Sequence, residues 1–171
     1  LRSNDSVTLQ HTVSVSVLRP SKQRKGEFGW TLKRDGYALS DDALVALLTT
    51  ANTSWIKYPI WYSPEDDPSE GERIAELADC LSATGIEMVG VFDRPPLQVY
   101  RRFGNKQHLT VAEAFLEPIR WQPAIEPLMI RLSLKIRWWQ LGEDDDDSFI
   151  DYEGLHEKVS EIRSHVKQFG Q

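Results

Sequence analysis

One cysteine, Cys80, in 171 residues excludes an internal disulfide. It falls on a predicted helix and reads as a small buried side chain rather than a reactive thiol. No apolar run approaches the roughly 20 residues of a membrane span, so no membrane partner is expected. Positive charge is short as well. Twenty Lys and Arg stand against 26 Asp and Glu, for a formal net charge of −6 and a pI near 5.2. That balance argues against nucleic acid or an anionic membrane as the main partner. Glycine-rich phosphate loops, Gly-x-Ser-x-Gly and His-Glu-x-x-His are all missing. Nucleotide-dependent, serine-hydrolase and zinc-hydrolase chemistry therefore have no support, and no cofactor is expected. His11, His108, His156 and His165 lack metal-ligand spacing and read as surface or interface residues. The first residue is Leu1, and no basic-plus-apolar signal segment follows it. The expectation is a processed or excised piece of a longer chain, with a compartment that cannot be read from it.

The length supports one domain with a substantial core. Val7 to Val17 alternates apolar and polar residues, the pattern of a half-buried strand. Arg19 to Glu27 is polar, basic and broken by Pro20 and Gly26. Residues 1–27 thus read as an N-terminal strand and connection, and 28–171 as the main domain.

Within that domain the chain alternates. Phe28–Leu32 is a short strand. Ser40 caps a helix with Leu44, Leu47, Leu48 and Ala51 as its buried stripe. Trp55–Tyr62 is the next strand, weakened by Pro59. Ser69 and Glu72 have capping-box spacing ahead of Ile74, Leu77, Ala78 and Leu81. That helix ends near Gly85, and Ile86–Phe92 is the third strand. Thr110 and Glu113 repeat the capping box. Pro118, Pro123 and Pro127 predict short helical pieces instead of one rod. A helix from about Ala124 to Leu134 feeds the Lys135–Leu141 strand. The last helix, roughly Tyr152–Phe169, buries Leu155, Val159, Ile162, Val166 and Phe169. Such alternation means parallel βα units with right-handed crossovers.

Lys135 to Phe149 carries the most chemical information. A strand stops at Gly142 and opens into Glu143 and four aspartates, Asp144–Asp147. Alternation puts Ile136, Trp138 and Gln140 on one face, and Arg137, Trp139 and Leu141 on the other. Carboxylates just past a parallel strand's C-terminal end sit where α/β barrels keep their chemistry. Aromatic rings beside carboxylates match the needs of a sugar site. The acidic run has three readings: a solvated loop, the acid-bearing loop of a sugar site, or a divalent-cation loop. An EF-hand is disfavoured by the absence of glycine at position six and glutamate at twelve. Trp61, Trp138 and Trp139 read either as core or as stacking surfaces, and at most one of Trp138 and Trp139 points inward. Lys57, in an otherwise apolar strand, needs a partner. Asp93 is the expected one, with ligand contact the alternative. Asp93 and Arg94 either bind substrate hydroxyls or cap their loop.

Ile136-Arg137-Trp138-Trp139-Gln140-Leu141-Gly142-Glu143-Asp144 resembles the fourth-strand motif of the clan A glycoside hydrolases. Those are (β/α)8 barrels whose motif reads, loosely, Trp-Gln-apolar-Gly-Asn-Glu. Lys57-Tyr58-Pro59-Ile60-Trp61 is similar to their second strand, and Val89-Gly90-Val91-Phe92-Asp93 to their third. The resemblance covers about Phe28 to Gly170. It implies half a barrel and an activity on carbohydrate by carboxylate general acid/base catalysis. Glu143 takes the motif's Asn position and Asp144 that of the acid/base Glu, one methylene shorter. Lys57, Trp61, Asp93, Arg94, Trp139 and Gln140 would shape the sugar site. The family's nucleophile lies on the seventh strand, beyond this stretch. The departure from Asn-Glu leaves a second expectation open: a non-catalytic glycosidase-like module that binds carbohydrate or a protein. Half a barrel leaves open strand edges, which implies a homodimer that covers them or a rearranged sheet.

Overall fold

The computed structural model describes residues 28–34, 38–104 and 108–169. The expected strand at Val7–Val17 and the connection after it lie outside the described residues. The chain runs β1 (Gly29–Thr31), α1 (Asp41–Thr50), β2 (Trp55–Pro59), α2 (Glu70–Ala83), β3 (Glu87–Phe92), α3 (Leu97–Arg102), α4 (Val111–Ala114), α5 (Pro118–Leu132), β4 (Trp138–Leu141) and α6 (Leu155–Lys167). The strands form one parallel sheet in the order β1-β2-β3-β4. The domain is therefore a mixed α/β structure of successive βα units. Among the described residues, no helix is long and apolar enough to cross a membrane.

The strand register divides the sheet into two unlike faces. Ile56 pairs with Met88, Tyr58 with Gly90, Gly90 with Trp139 and Phe92 with Leu141. Residues in register on neighbouring strands share a face. Ile56, Tyr58, Met88 and Phe92 join the core with Leu44, Leu48, Ile74, Leu77, Leu81, Ile125, Leu128 and Leu132 from α1, α2 and α5, and Trp139 and Leu141 pack against it. Gly90 lets Trp139 lie down on this face. A Cβ there would sit 3.1 Å from both Ile60 Cγ1 and the Trp139 ring. The opposite face carries Thr31, Lys57, Val89, Val91, Trp138 and Gln140, and Trp138 is 61% exposed on it. At its lower end the Trp55 indole lies over Gly29 so closely that a Cβ there would overlap the ring.

Two helix caps form as their residues dictate. Ser40 accepts from the Ala43 N–H at 3.3 Å, and Thr110 and Glu113 close a full capping box. Gly85, at φ +82°, ends α2 in the left-handed region. The expected Ser69 capping box does not form. Asp67 Oδ1 takes over, accepting from the backbone N–H groups of Ser69 and Glu70, each at 3.2 Å. A carboxylate is the stronger acceptor for these free donors.

Other expectations are corrected by packing. Pro123 and Pro127 lie inside the continuous helix α5. They sit on its exposed side, where their rings stay out of the core. Trp121, Ala124, Ile125, Leu128, Met129 and Leu132 meanwhile form an uninterrupted buried stripe. Leu47 is exposed; α1 follows the edge strand β1, and among the described residues its helix partner is α2. On α6, Ile162 and Val166 are buried, but Leu155 and Val159 are not. Cys80 is exposed, off the α2 stripe. His165 is buried, with its ring 5.1 Å from Trp121 and 5.5 Å from Phe169. His108 and His156 are exposed.

Candidate functional site

The C-terminal strand ends meet around Gly142, whose N–H donates to the Phe92 carbonyl at 2.9 Å. At φ +78° its backbone is left-handed, and a Cβ would sit 2.9 Å from Asp146 Cβ. Only glycine takes this turn without cost. Gly142→Ala should destabilise the fold by about 1–2 kcal/mol, read from urea denaturation. Beyond the turn, Asp146 Oδ1 accepts from the Ser148 N–H at 2.8 Å, and Ser148 Oγ accepts from the Ala112 N–H at 3.2 Å. The acidic loop is thereby tied to α4, and Asp144 returns to the sheet face that none of the described helices covers.

Three donors from three strands or strand ends meet the Asp144 carboxylate. Thr31 Oγ1 donates to Oδ2 at 2.8 Å, Gln140 Nε2 to Oδ1 at 3.1 Å, and Lys57 Nζ to Oδ1 in an ion pair. The Lys57 ammonium holds the Asp144 pKa down, to about 2 from 3.8, aided by Thr31 and Gln140 against the opposing effect of burial. Asp144 is thus ionised at neutral pH. A carboxylate whose pKa is depressed on folding stabilises the fold above its unfolded value, and that contribution is lost as pH falls through the folded value. Wild type should therefore lose stability relative to Asp144→Asn between about pH 4 and pH 2. Thermal melts of the two proteins across that range measure it. The side chain is nearly half exposed, so the effect is modest.

The partner expected for Lys57 was Asp93, but the structure gives Lys57 to Asp144. Asp93 is held instead by Arg34, which sequence reasoning missed. Arg34 Nε donates to Oδ2 at 3.0 Å and Nη2 to Oδ1 at 2.7 Å, while Nη2 also reaches the Trp61 carbonyl at 2.9 Å. The Asp93 side chain is only 3% exposed. A buried aspartate at a strand end must be paired, which was the one signal that could have prompted a search for a cation near β1. Glu143 lies between Lys33 at 3.8 Å and Arg94 at 3.6 Å, both largely exposed. Thr31, Arg34, Val91, Gln140, Glu143 and Asp144 line a cavity of about 300 Å³.

Glu143, Asp144, Lys57, Asp93, Arg94 and Gln140 thus come together at the strand ends. Trp61 and Trp139 do not join them as stacking surfaces. Trp61 is 1% exposed, packed on Phe115 at 5.2 Å and on Phe92 at 5.5 Å. Trp139 lies on the helix-covered face, stacked on Phe92 at 5.8 Å. The tryptophans on the face that the described helices leave open are Trp55, whose ring centroid lies 6.0 Å from Lys57 Nζ, and Trp138, two strands from Lys57 in the same row, about 10 Å away at ordinary strand spacing. Among the described residues, no group of three or more His, Cys, Asp or Glu side chains is arranged to hold a metal ion.

Comparison with protein-family models, curated proteins and solved structures finds no match to this chain.

Proposed function

We propose that residues 28–169 are four βα units organised as half of a clan A glycosidase-like barrel, and that the strand-end site binds carbohydrate. The sequential strand order and the assignment of the two sheet faces support the architecture. Fold analogy alone does not carry function. The carrying observation is the convergence of Thr31, Lys57 and Gln140 on Asp144 at the strand ends, on the same sheet face as the exposed Trp138 ring. Hydroxyl-rich ligands need such hydrogen-bonding groups, and pyranose rings stack on exposed indoles.

Binding is favoured over cleavage. A general acid at a glycosidic oxygen carries a raised pKa, whereas that of Asp144 is lowered to about 2. Carboxylate-catalysed hydrolysis by Glu143 or Asp144 remains the second reading, supported by the placement of both acids at the cavity. A homodimer that covers the sheet edges left unpaired among the described residues belongs to the same proposal, and size-exclusion chromatography tests it.

Calorimetric titration with neutral oligosaccharides (gluco-, xylo- and manno-trioses) is the test of function. Saturable binding that Gln140→Ala weakens about tenfold, one hydrogen bond's worth, with no sugar released, is expected. Release of reducing ends by wild type but not by Asp144→Asn would favour the catalytic reading. Absence of binding would remove both.

A further inference from the structure

Asp144 differs in origin from the groups that hold it. Thr31 and Lys57 belong to β1 and β2, and Gln140 to β4, so the parallel sheet fixes their spacing. Asp144 comes from the loop beyond Gly142, and its side chain is nearly half exposed. A lysine ammonium, a hydroxyl and a primary amide aimed at one spot form a receptor for the two oxygens of a carboxylate. The sheet builds that receptor, and the loop supplies the carboxylate that fills it.

We propose that Thr31, Lys57 and Gln140 form a recognition site for the carboxylate of an acidic sugar, a uronate, and that Asp144 is its internal occupant, displaced when ligand binds. This rests on the carbohydrate reading and narrows it to a ligand class. Val91 lines the adjoining cavity, and Lys33 and Arg94 stand beside it, each paired with Glu143. An occupant tethered through the loop competes at a high effective concentration, so a free uronate meets a weakened site in the wild-type chain. Its removal frees the three donors without touching them.

Calorimetry of the whole chain tests this with glucuronate, a triuronate, acetate and a neutral triose as probes. Asp144→Ala should bind glucuronate, triuronate and acetate at least about tenfold more tightly than wild type, a gain that the neutral triose does not match. Asp144→Asn keeps the side-chain volume and removes the competing charge. It should gain in the same direction and stands in if the alanine variant does not fold. Adding Lys57→Met to either variant should abolish the gain. Equal affinities of wild type and both variants for the acidic probes, or an equal gain for the neutral triose, would overturn the proposal and leave neutral-sugar binding intact. A gain for acetate with no sugar bound by any variant would uphold the carboxylate site and overturn the carbohydrate reading.

Discussion

Arg34→Ala is expected to lower the unfolding free energy by about 3 kcal/mol. Asp93 is almost fully enclosed, and both of its oxygens are taken by the Arg34 guanidinium. Removing the arginine leaves a buried carboxylate with its main partners gone, which costs far more than the loss of a surface pair. The same guanidinium holds the Trp61 carbonyl, so it joins the ends of β1, β2 and β3. Urea denaturation should show a lower midpoint with an unchanged slope. Because the cost arises from a stranded charge, Arg34→Ala combined with Asp93→Asn should recover part of it. An Arg34→Ala protein as stable as wild type would mean that Asp93 finds water or another cation.

The second large effect separates two tryptophans that the sequence treats alike. Trp61→Ala should cost about 3–5 kcal/mol, the range for deleting a buried aromatic ring. Trp61 sits among Phe92 and Phe115, and Phe115 continues the cluster to Trp121 at 5.4 Å. Trp138→Ala should change stability by less than about 0.5 kcal/mol, since its ring is mostly exposed. Sugar affinity should follow the opposite order: lost in Trp138→Ala, and retained in Trp61→Ala to the extent that it folds. Thermal melts and calorimetric titrations of the two variants give both comparisons.

Much of the domain is legible in the sequence because its signals are local. The apolar stripe of α2, the Thr110 cap and the stop at Gly142 each arise within a few residues. So does the oddity of Lys57, a cation in an apolar strand, although its partner does not. Asp93 and Asp144 both stand just past strand ends, and only the lateral packing of the strands decides which of them Lys57 meets. Arg34 and Asp93 are 59 positions apart, a pairing that no local pattern carries. The alternation of β4 assigns Trp138 and Trp139 to different faces but does not say which face the helices cover. That depends on α5 and α2, and it reverses the expected role of Trp139. Pro123 and Pro127 signal a break locally, but the unbroken apolar stripe of α5 outweighs intrinsic propensity, because burial of that stripe wins. The exposed start of α6 has a related cause: the stripe is continuous in sequence, but its packing partners, such as Trp121, lie only against its later turns.

The proposed ligand site is the strand-end region around Asp144, on the sheet face that the described helices leave open. A two-dimensional ¹H–¹⁵N titration of the whole chain with neutral and uronate oligosaccharides tests it most directly. Saturable shifts are expected at Thr31, Lys57, Gln140, Glu143 to Asp145 and the Trp138 indole, with the helices unmoved. Shifts confined to the helices, or none at millimolar ligand, would contradict it.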